Sequence, residues 1–209
     1  MPGSSLWLLP PPSHPLHWIL TTLITSTLPP LFPAESSSST LAPHFFHPHM
    51  TLTSEISPSL YGDNPQEWLD SIPFPSASEV RVRFRDVATQ DVFFRRCYLR
   101  VGVEGVRGVV GIARARGVEG EDEVGEKTRR WVEWWLGEYG PHVSLMYGSA
   151  MMDEGKMERV TKAVEEAGVK LSMKDADGED GDGWDGGVVW LVPTGRPIDE
   201  WKPIAVREL

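Results

Sequence analysis

The chain has 209 residues, of which 40% are hydrophobic and nine are tryptophan, and its formal net charge at pH 7 is −10. This composition excludes a disordered chain and indicates one folded domain or two small lobes. The acidic balance argues against a protein that tracks long nucleic acids, because such binding needs many lysines and arginines to neutralise phosphates.

The first predicted strand covers residues 5–9 and ends at three consecutive prolines. Ser13 can cap a helix that has Pro15 near its first turn and runs to about residue 28. Residues 16–28 are apolar, but no basic residue precedes them, and the run is too short and too interrupted for a bilayer span. We therefore predict a buried helix rather than a signal or membrane span, followed by a flexible Pro- and Ser-rich loop at residues 29–42.

The chain continues with a predicted strand at residues 48–54 and a short helix at residues 64–71, where proline suits the first helical position. Residues 79–86 alternate apolar residues with charged ones, which indicates a half-buried strand. We expect this strand to pair as a hairpin with the more apolar residues 91–101.

The second half of the chain repeats a similar order of elements. Its predicted elements are helices at residues 106–116, 124–137 and 153–167, strands at residues 141–147, 187–193 and 201–207, and a flexible Asp/Gly loop at residues 175–187. The likeness of the two halves predicts a bilobal, pseudo-symmetric α+β fold, with residues 1–209 forming a single domain.

One short motif occurs twice, at residues 48–52 (Pro-His-Met-Thr-Leu) and at residues 141–145 (Pro-His-Val-Ser-Leu). Both copies contain proline, histidine, an apolar residue, a hydroxyl residue and leucine in that order, and His142 follows His49 by 93 residues. The whole chain has six histidines, so composition alone does not account for two such matches. Proline suits the first position of a strand, and we predict that each motif begins one.

The two motifs predict a site with two imidazoles and two hydroxyls. Side chains two residues apart in a strand share a face, so His49 should project beside Thr51, and His142 beside Ser144. The apolar residues between them should point into the core. If the two strands face each other, the four side chains can carry acid–base chemistry on a phosphate without a metal or other cofactor.

Three histidines, a group of arginines and the single cysteine are further candidates for a functional site. His44, His47 and His49 suggest a metal site, but no cysteine and no clear acidic partner completes a four-ligand set nearby, so no metal is predicted. The arginines within residues 79–101 are most simply the solvated face of a hairpin, although some could line a cleft and attract pyrophosphate. Cys97 is the single cysteine, lies in an apolar run and is predicted to be a buried packing residue.

The paired motifs resemble those of the 2H phosphoesterase superfamily, and in particular the cyclic phosphodiesterases of fungi and plants. Three stretches carry the resemblance: Leu-Trp-Leu-Leu-Pro-Pro at residues 6–11, Pro-His-Met-Thr-Leu-Thr-Ser at residues 48–54, and Pro-His-Val-Ser-Leu-Met-Tyr-Gly at residues 141–148. It covers nearly the whole chain in order and spacing. The resemblance implies two antiparallel sheets, flanked by helices, with a central cleft between them.

The same resemblance implies an activity. It implies hydrolysis of ADP-ribose 1″,2″-cyclic phosphate, a by-product of tRNA splicing, to ADP-ribose 1″-phosphate, and of nucleoside 2′,3′-cyclic phosphates to nucleoside 2′-phosphates. The partner is then a small cyclic phosphate nucleotide rather than a long nucleic acid. We expect a monomer, located in the Golgi apparatus, as some relatives are, or in the cytoplasm.

The resemblance also implies roles for the motif residues. His142 activates water and His49 protonates the leaving oxygen, although the sequence itself is symmetric and does not assign these roles. Thr51 and Ser144 are expected to bind the non-bridging oxygens. Tyr147 could add a donor or stack on the base, but its odd offset from His142 places it on the opposite face unless a bulge or the strand end re-aims it.

Two alternatives stay open at this point. A 2H-type RNA ligase or RNA 2′,3′-cyclic phosphodiesterase would act on RNA ends, which the acidic balance disfavours. A non-catalytic nucleotide- or RNA-binding module would bind a 2′-nucleotide without turnover, and the presence of all four motif residues argues against it.

Overall fold

The structure, a computed structural model, describes residues 3–37, 43–121, 125–172 and 182–209. Its strands are β1 (Ser4–Leu9), β2 (Met50–Ile56), β3 (Arg81–Ala88), β4 (Cys97–Val101), β5 (His142–Met146), β6 (Gly183–Asp185), β7 (Val188–Pro193) and β8 (Ala205–Glu208). Its α-helices are α1 (Pro15–Thr22), α2 (Leu28–Leu31), α3 (Pro58–Tyr61), α4 (Pro65–Ser71), α5 (Arg107–Arg114), α6 (Glu126–Trp134) and α7 (Glu154–Glu166). The predicted α+β class is confirmed.

The strands form one antiparallel sheet of eight, in the order β6-β3-β4-β5-β2-β1-β7-β8. The two motif strands, β2 and β5, lie side by side at its centre. They are joined by a single register pair, Met50 with Val143, so the sheet consists of two four-stranded halves with a narrow junction. The expectation of two separate sheets is therefore corrected to one, because the motif strands pair with each other; the two-lobed shape stays a prediction.

The apolar residues of the motif strands anchor this junction in the main core. Met50, Leu52, Val143 and Leu145 are fully buried. Helix α5 contacts β2, α7 contacts β3, and the helical segment before residue 32 contacts β5. Because side chains alternate along a strand, the residues between these apolar positions project from the other face of the sheet.

The first helix extends beyond its predicted end. It runs through α1, a π-helical turn at Leu23–Thr27 and α2, and its N-cap is His14 rather than Ser13: the His14 ring accepts a hydrogen bond from the Leu16 backbone N–H at 3.2 Å. Pro29 and Pro30 lack N–H groups and donate no backbone hydrogen bond within this helix, whose last turn is closed by the Phe32 N–H and the Leu28 carbonyl at 2.9 Å. Among the described residues no helix is long and apolar enough to cross a bilayer.

The two predicted flexible loops are only partly loops. In the first, at residues 29–42, the helix continues to Leu31, and the buried Glu35 carboxylate pairs with Lys156 at 2.8 Å. In the second, at residues 175–187, Gly183–Asp185 forms strand β6 against β3, because the outer edge of β3 offers unpaired backbone groups that a short segment can satisfy. Residues 38–42 and 175–181 lie outside the described part of the chain.

Most other predicted elements are confirmed with small changes at their ends, but two strands are much shorter than predicted. Of residues 91–101 only Cys97–Val101 forms β4, after a 3-10 turn at Phe93–Arg95, and the strand predicted at residues 201–207 begins only at Ala205. The hairpin forms from β3 and β4, and the helices predicted at 106–116 and 124–137 appear as α5 and α6, each continued by a π-helical turn. The helix predicted at 153–167 is α7, which Asp153 caps by accepting a hydrogen bond from the Lys156 N–H at 2.9 Å.

Candidate active site

The structure brings the four motif side chains together in one cleft. His49 immediately precedes β2, His142 is the first residue of β5, and both line this cleft together with Thr51 and Ser144. The single register pair between β2 and β5 places the two motifs directly side by side. The cleft is also lined by Ser5, Trp7, Ser54, Phe94, Tyr139, Tyr147, Thr194 and Trp201.

The two imidazoles are held in the same way. His49 Nδ1 lies 2.7 Å from the His47 carbonyl oxygen, and His142 Nδ1 lies 2.9 Å from the Gly140 carbonyl oxygen. A carbonyl oxygen can only accept a hydrogen bond, so each Nδ1 carries the proton and donates it. The lone pair of each neutral ring is therefore on Nε2, the nitrogen that can exchange a proton with a ligand.

Both histidines are neutral at neutral pH. Each is more than nine-tenths buried. Burial lowers the pKa of His49 to about 3, partly opposed by the hydrogen bond to His47 and assisted by the nearby His142. Burial also lowers the pKa of His142 to about 4, with a further lowering from the positive charge of Arg95. Two neutral imidazoles can accept protons, and an anionic ligand would raise the pKa of both.

Aromatic rings surround each imidazole differently. The Trp7 ring stacks on His49, with ring centroids 3.7 Å apart and an interplanar angle of 13°. His142 instead lies against Tyr98 and Tyr139, with ring centroids 5.1 and 5.0 Å away. Trp7 is placed there because it pairs with Thr51 across β1 and β2 and so shares its face.

The two motif hydroxyls make different hydrogen bonds within the protein. Ser144 Oγ donates a hydrogen bond to the Phe94 carbonyl oxygen at 3.0 Å. Thr51 makes no side-chain hydrogen bond to any residue that the structure describes, and its side chain is half-buried. Thr51 can therefore donate to a ligand at once, whereas Ser144 must first leave its carbonyl partner.

Tyr147 reaches the cleft because β5 ends before it. The strand stops at Met146, so the alternation that would turn Tyr147 away no longer applies, and its side chain lines the cleft. It is buried and stacks on Phe46 with ring centroids 3.8 Å apart. Burial raises the pKa of its hydroxyl, so the group is protonated and can donate a hydrogen bond.

The other histidines and the cysteine lie elsewhere. His44 packs edge-on against Phe93, and His47 against Trp190. Among the described residues no group of three or more His, Cys, Asp or Glu side chains is arranged to hold a metal ion. Cys97 is buried, and burial raises the pKa of its thiol to about 12, so it is no nucleophile at neutral pH.

Sequence reasoning missed several lining residues. The sequence predicts for Trp7 only a place in the first strand and in one of the stretches that carry the resemblance. It contains no pattern that predicts a site role for Phe94, Tyr139, Thr194 or Trp201. Strand alternation and the pairing of β1 with β2 could have found Trp7. The others come from distant loops and ends of elements, and no local pattern marks them.

Comparisons with known proteins agree over the whole chain. A family model described as "Cyclic phosphodiesterase-like protein" matches residues 1–209. A curated protein of Neurospora crassa is 59% identical over 213 residues, with 100% of each chain covered, and is named 2′,3′-cyclic-nucleotide 3′-phosphodiesterase. Proteins with the same name from Phaeosphaeria nodorum (43% identical over 211 residues, 100% of each chain) and Yarrowia lipolytica (28% over 237 residues, 99% of each chain) also match.

Proposed function

Because the chain belongs to the cyclic phosphodiesterase-like protein family, we propose that it hydrolyses nucleoside 2′,3′-cyclic phosphates to nucleoside 2′-phosphates. Two observations support this: the names of the relatives, and a cleft that contains two imidazoles with matching Nδ1 hydrogen bonds. The matching Nδ1 hydrogen bonds carry the proposal, because they leave both Nε2 atoms free for proton transfer.

The proposed reaction uses the Nε2 atoms of both histidines. Nε2 of His142 accepts a proton from water, whose oxygen forms a bond to phosphorus while the bond from phosphorus to the 3′ oxygen breaks. His49, protonated on Nε2, donates that proton to the 3′ oxygen. The proton on His49 is gained with the substrate, because the negative charge of a bound cyclic phosphate raises the lowered pKa of the buried ring.

The surroundings of the two rings support this division of roles. Besides burial, the positive charge of Arg95 lowers the pKa of His142, which favours the neutral form that a base needs. His49 stacks on the face of Trp7, and the face of an indole ring attracts a cation. That contact favours the imidazolium that an acid needs.

The hydroxyls complete the proposed mechanism. Thr51 donates to a non-bridging phosphate oxygen, and Ser144 does so after exchanging its hydrogen bond to the Phe94 carbonyl for one to the ligand. Tyr147, also protonated, supplies a third donor at the same side of the cleft.

We extend the proposal to ADP-ribose 1″,2″-cyclic phosphate as a substrate, with ADP-ribose 1″-phosphate as its product. This places the enzyme in the metabolism of a by-product of tRNA splicing. The support is the family resemblance and the reactive group, because both substrates present a five-membered cyclic phosphate on a ribose.

The test is product analysis in buffer that contains a chelator. We expect the wild-type protein to convert adenosine 2′,3′-cyclic phosphate to the 2′-phosphate alone, and ADP-ribose 1″,2″-cyclic phosphate to the 1″-phosphate. Each of His49→Ala and His142→Ala should lower kcat by roughly 10²–10⁴-fold, the usual contribution of a general acid or base. His17→Ala is the matched control, because His17 is partly exposed and does not line the cleft.

Other results would select a different function. Near-normal turnover by either histidine variant would refute the two-histidine mechanism. Binding of a 2′-nucleotide with no turnover by wild type would indicate a binding module, and strong, salt-sensitive RNA binding would indicate an enzyme of RNA ends. Activity lost with chelator and restored by zinc would indicate metal-dependent chemistry.

A further inference from the structure

A second cavity lies beside the active-site cleft and shares one wall residue, Tyr139, with it. Three arginines line it: Arg85 from β3, Arg95 from the turn before β4, and Arg100 from β4. We refer to it as the Arg85–Arg95 pocket. Gln90, Tyr98, Ser172, Asp86 and Glu138 add polar groups to its walls.

Among the residues that the structure describes, Arg95 is a buried cation without an acidic partner. The residue is 8% exposed, and its guanidinium carbon lies 4.8 Å from the ring centroid of Tyr98 and 4.9 Å from that of Tyr139. Nη2 donates to the Tyr98 hydroxyl at 3.3 Å, but the buried Nε has no hydrogen-bond partner. No carboxylate in the described part of the chain forms an ion pair with it.

Arg85, like Arg95, has a buried Nε that makes no hydrogen bond to the residues that the structure describes. It is half-buried, and within the described residues it forms no ion pair. Arg100 differs, because both oxygens of Asp86 accept hydrogen bonds from it. Glu138, the other acidic wall residue, is exposed. Two of the three guanidinium groups therefore retain unused donors at this pocket.

Unused, sheltered guanidinium donors point to an anionic ligand. Leaving a buried donor or charge without a partner costs free energy, which a bound anion would recover. The planar fork of arginine matches phosphate oxygens two at a time, so a phosphate group is the ligand that fits two such side chains best.

The pocket is close enough to serve the same substrate. Tyr98 and Tyr139 each contact both His142 and Arg95: their ring centroids lie 5.1 and 5.0 Å from the His142 ring, and 4.8 and 4.9 Å from the Arg95 guanidinium carbon. The guanidinium carbon of Arg95 therefore lies within about 10 Å of the centre of the His142 ring. A sugar ring spans a similar distance between a cyclic phosphate and a phosphate on its 5′ carbon.

We propose that the Arg85–Arg95 pocket binds a second phosphate of the substrate, so that the enzyme prefers cyclic phosphates whose ribose also carries a 5′-phosphate or pyrophosphate. This rests on the proposed function, since the cyclic phosphate is taken to occupy the cleft. The proposal gives Arg85 and Arg95 a specific role, whereas the sequence predicts only that some of the arginines within residues 79–101 line a cleft.

Calorimetric titration with two product-like ligands tests the proposal without depending on turnover. Adenosine 2′-phosphate offers one phosphate, and adenosine 2′,5′-bisphosphate adds the second. We expect wild-type protein to bind the bisphosphate roughly tenfold more tightly, as one charge-assisted phosphate contact typically provides. In Arg85→Gln this advantage should fall to less than about twofold, with the affinity for the 2′-phosphate unchanged.

Arg81→Gln is the matched control. Arg81 lies on the same strand, is exposed and does not line the pocket, so its loss lowers the general positive charge by the same amount. The control should keep the full advantage of the bisphosphate. Equal loss in both variants would mean that only bulk charge matters, and would overturn the proposal.

Two further outcomes are decisive. If the bisphosphate has no advantage while inorganic phosphate binds wild type but not Arg85→Gln, the pocket holds a separate anion and the substrate assignment is wrong. If wild type does not turn over adenosine 2′,3′-cyclic phosphate, the proposed function fails. Normal turnover without an Arg85-dependent advantage contradicts the second phosphate site alone.

Discussion

Each candidate catalytic imidazole has its tautomer set by a backbone carbonyl two residues upstream. His47 and Gly140 supply these carbonyls, at 2.7 and 2.9 Å from Nδ1. A short local turn therefore orients each ring before any ligand is present. The same burial that holds the rings in place also lowers their pKa values, which keeps both neutral until an anion enters.

The influence of Arg95 on His142 can be measured directly. After burial, the positive charge of Arg95 is a further cause of the lowered pKa of His142, so Arg95→Gln should raise that pKa towards its usual value. An NMR titration of the imidazole signals should show the change for His142. Arg81→Gln should leave the signal as in wild type, and a His142 pKa that stays constant or falls in Arg95→Gln would contradict the assignment.

At the residue scale, the motif itself was the reliable signal. His49, Thr51, His142 and Ser144 were expected to share a face, and they line one cleft in the structure. Their hydrogen bonds were not foreseeable, because the Ser144 contact to Phe94 joins residues that are 50 positions apart. The donor role of Ser144 therefore needs a rearrangement that the sequence did not suggest.

At the scale of elements, the end of β5 positions Tyr147, the predicted site residue that lies furthest along the chain. Tyr147 follows the strand directly, and Gly148 then turns the chain. The Gly148 carbonyl accepts a hydrogen bond from Arg96 Nε at 3.0 Å, and its N–H donates to the Phe93 carbonyl at 3.1 Å. A Cβ at Gly148 would lie only 2.0 Å from the Glu35 carbonyl oxygen, so this close approach requires glycine.

Gly148→Ala should accordingly destabilise the protein and disturb the cleft. We expect a loss of about 2 kcal/mol or more in the free energy of unfolding, because backbone must move to remove the overlap. Denaturant unfolding and kcat/KM for a 2′,3′-cyclic nucleotide would measure both effects.

Gly155→Ala is the control for this prediction. A Cβ there would meet its nearest neighbour, Asp153 Oδ1, at an ordinary 3.6 Å, and alanine favours a helix over glycine by up to about 1 kcal/mol. This variant should be as stable as wild type or more so. Equal behaviour of the two variants would mean that packing at Gly148 does not matter.

Local sequence patterns predicted the longer elements but not the short strand β6, which pairs with the outer edge of β3. Period-two alternation predicted β3, and the helix predicted at residues 153–167 is α7. The sequence predicts a loop where strand β6 lies, because its three residues, Gly183–Asp185, have no strand pattern of their own. Their pairing with β3 supplies the hydrogen bonds that make them a strand.

At the scale of the whole molecule, the overall acidic charge conceals a local basic region. The net charge is −10, yet the cavity beside the cleft holds arginines from β3, β4 and the turn between them. Such a distribution suits a small anionic ligand, whose contacts are local. It does not suit a long polyanion, which would also meet the acidic remainder of the surface.

The buried histidines should make global stability depend on pH. The folded pKa values, about 3 for His49 and about 4 for His142, lie below the usual value of 6.5. Between the folded and the unfolded pKa values, the unfolded chain binds more protons than the folded protein. The contribution of the two histidines to the free energy of unfolding is therefore fully present above about pH 6.5 and decreases as the pH falls. The loss should approach about 1.4 kcal/mol per pH unit for each histidine.

Denaturant unfolding at pH 7 and pH 5 would measure this dependence. In the double variant with His49→Gln and His142→Gln neither side chain titrates, and glutamine can still donate to the backbone carbonyls. The difference in stability between the two pH values should therefore shrink relative to wild type. An unchanged difference would show that the two imidazoles do not contribute.

Local sequence was enough to predict the class of fold, most helices and strands, and the face on which each motif presents its histidine and hydroxyl residue, because these depend on spacing along a few neighbouring residues. Tertiary pairing decided the rest. It joined β2 to β5 through Met50 and Val143, made one sheet where two were expected, and put Arg95 beside His142. These contacts join residues that are far apart in the chain, and the free energy that selects them comes from burial and backbone pairing across the whole domain.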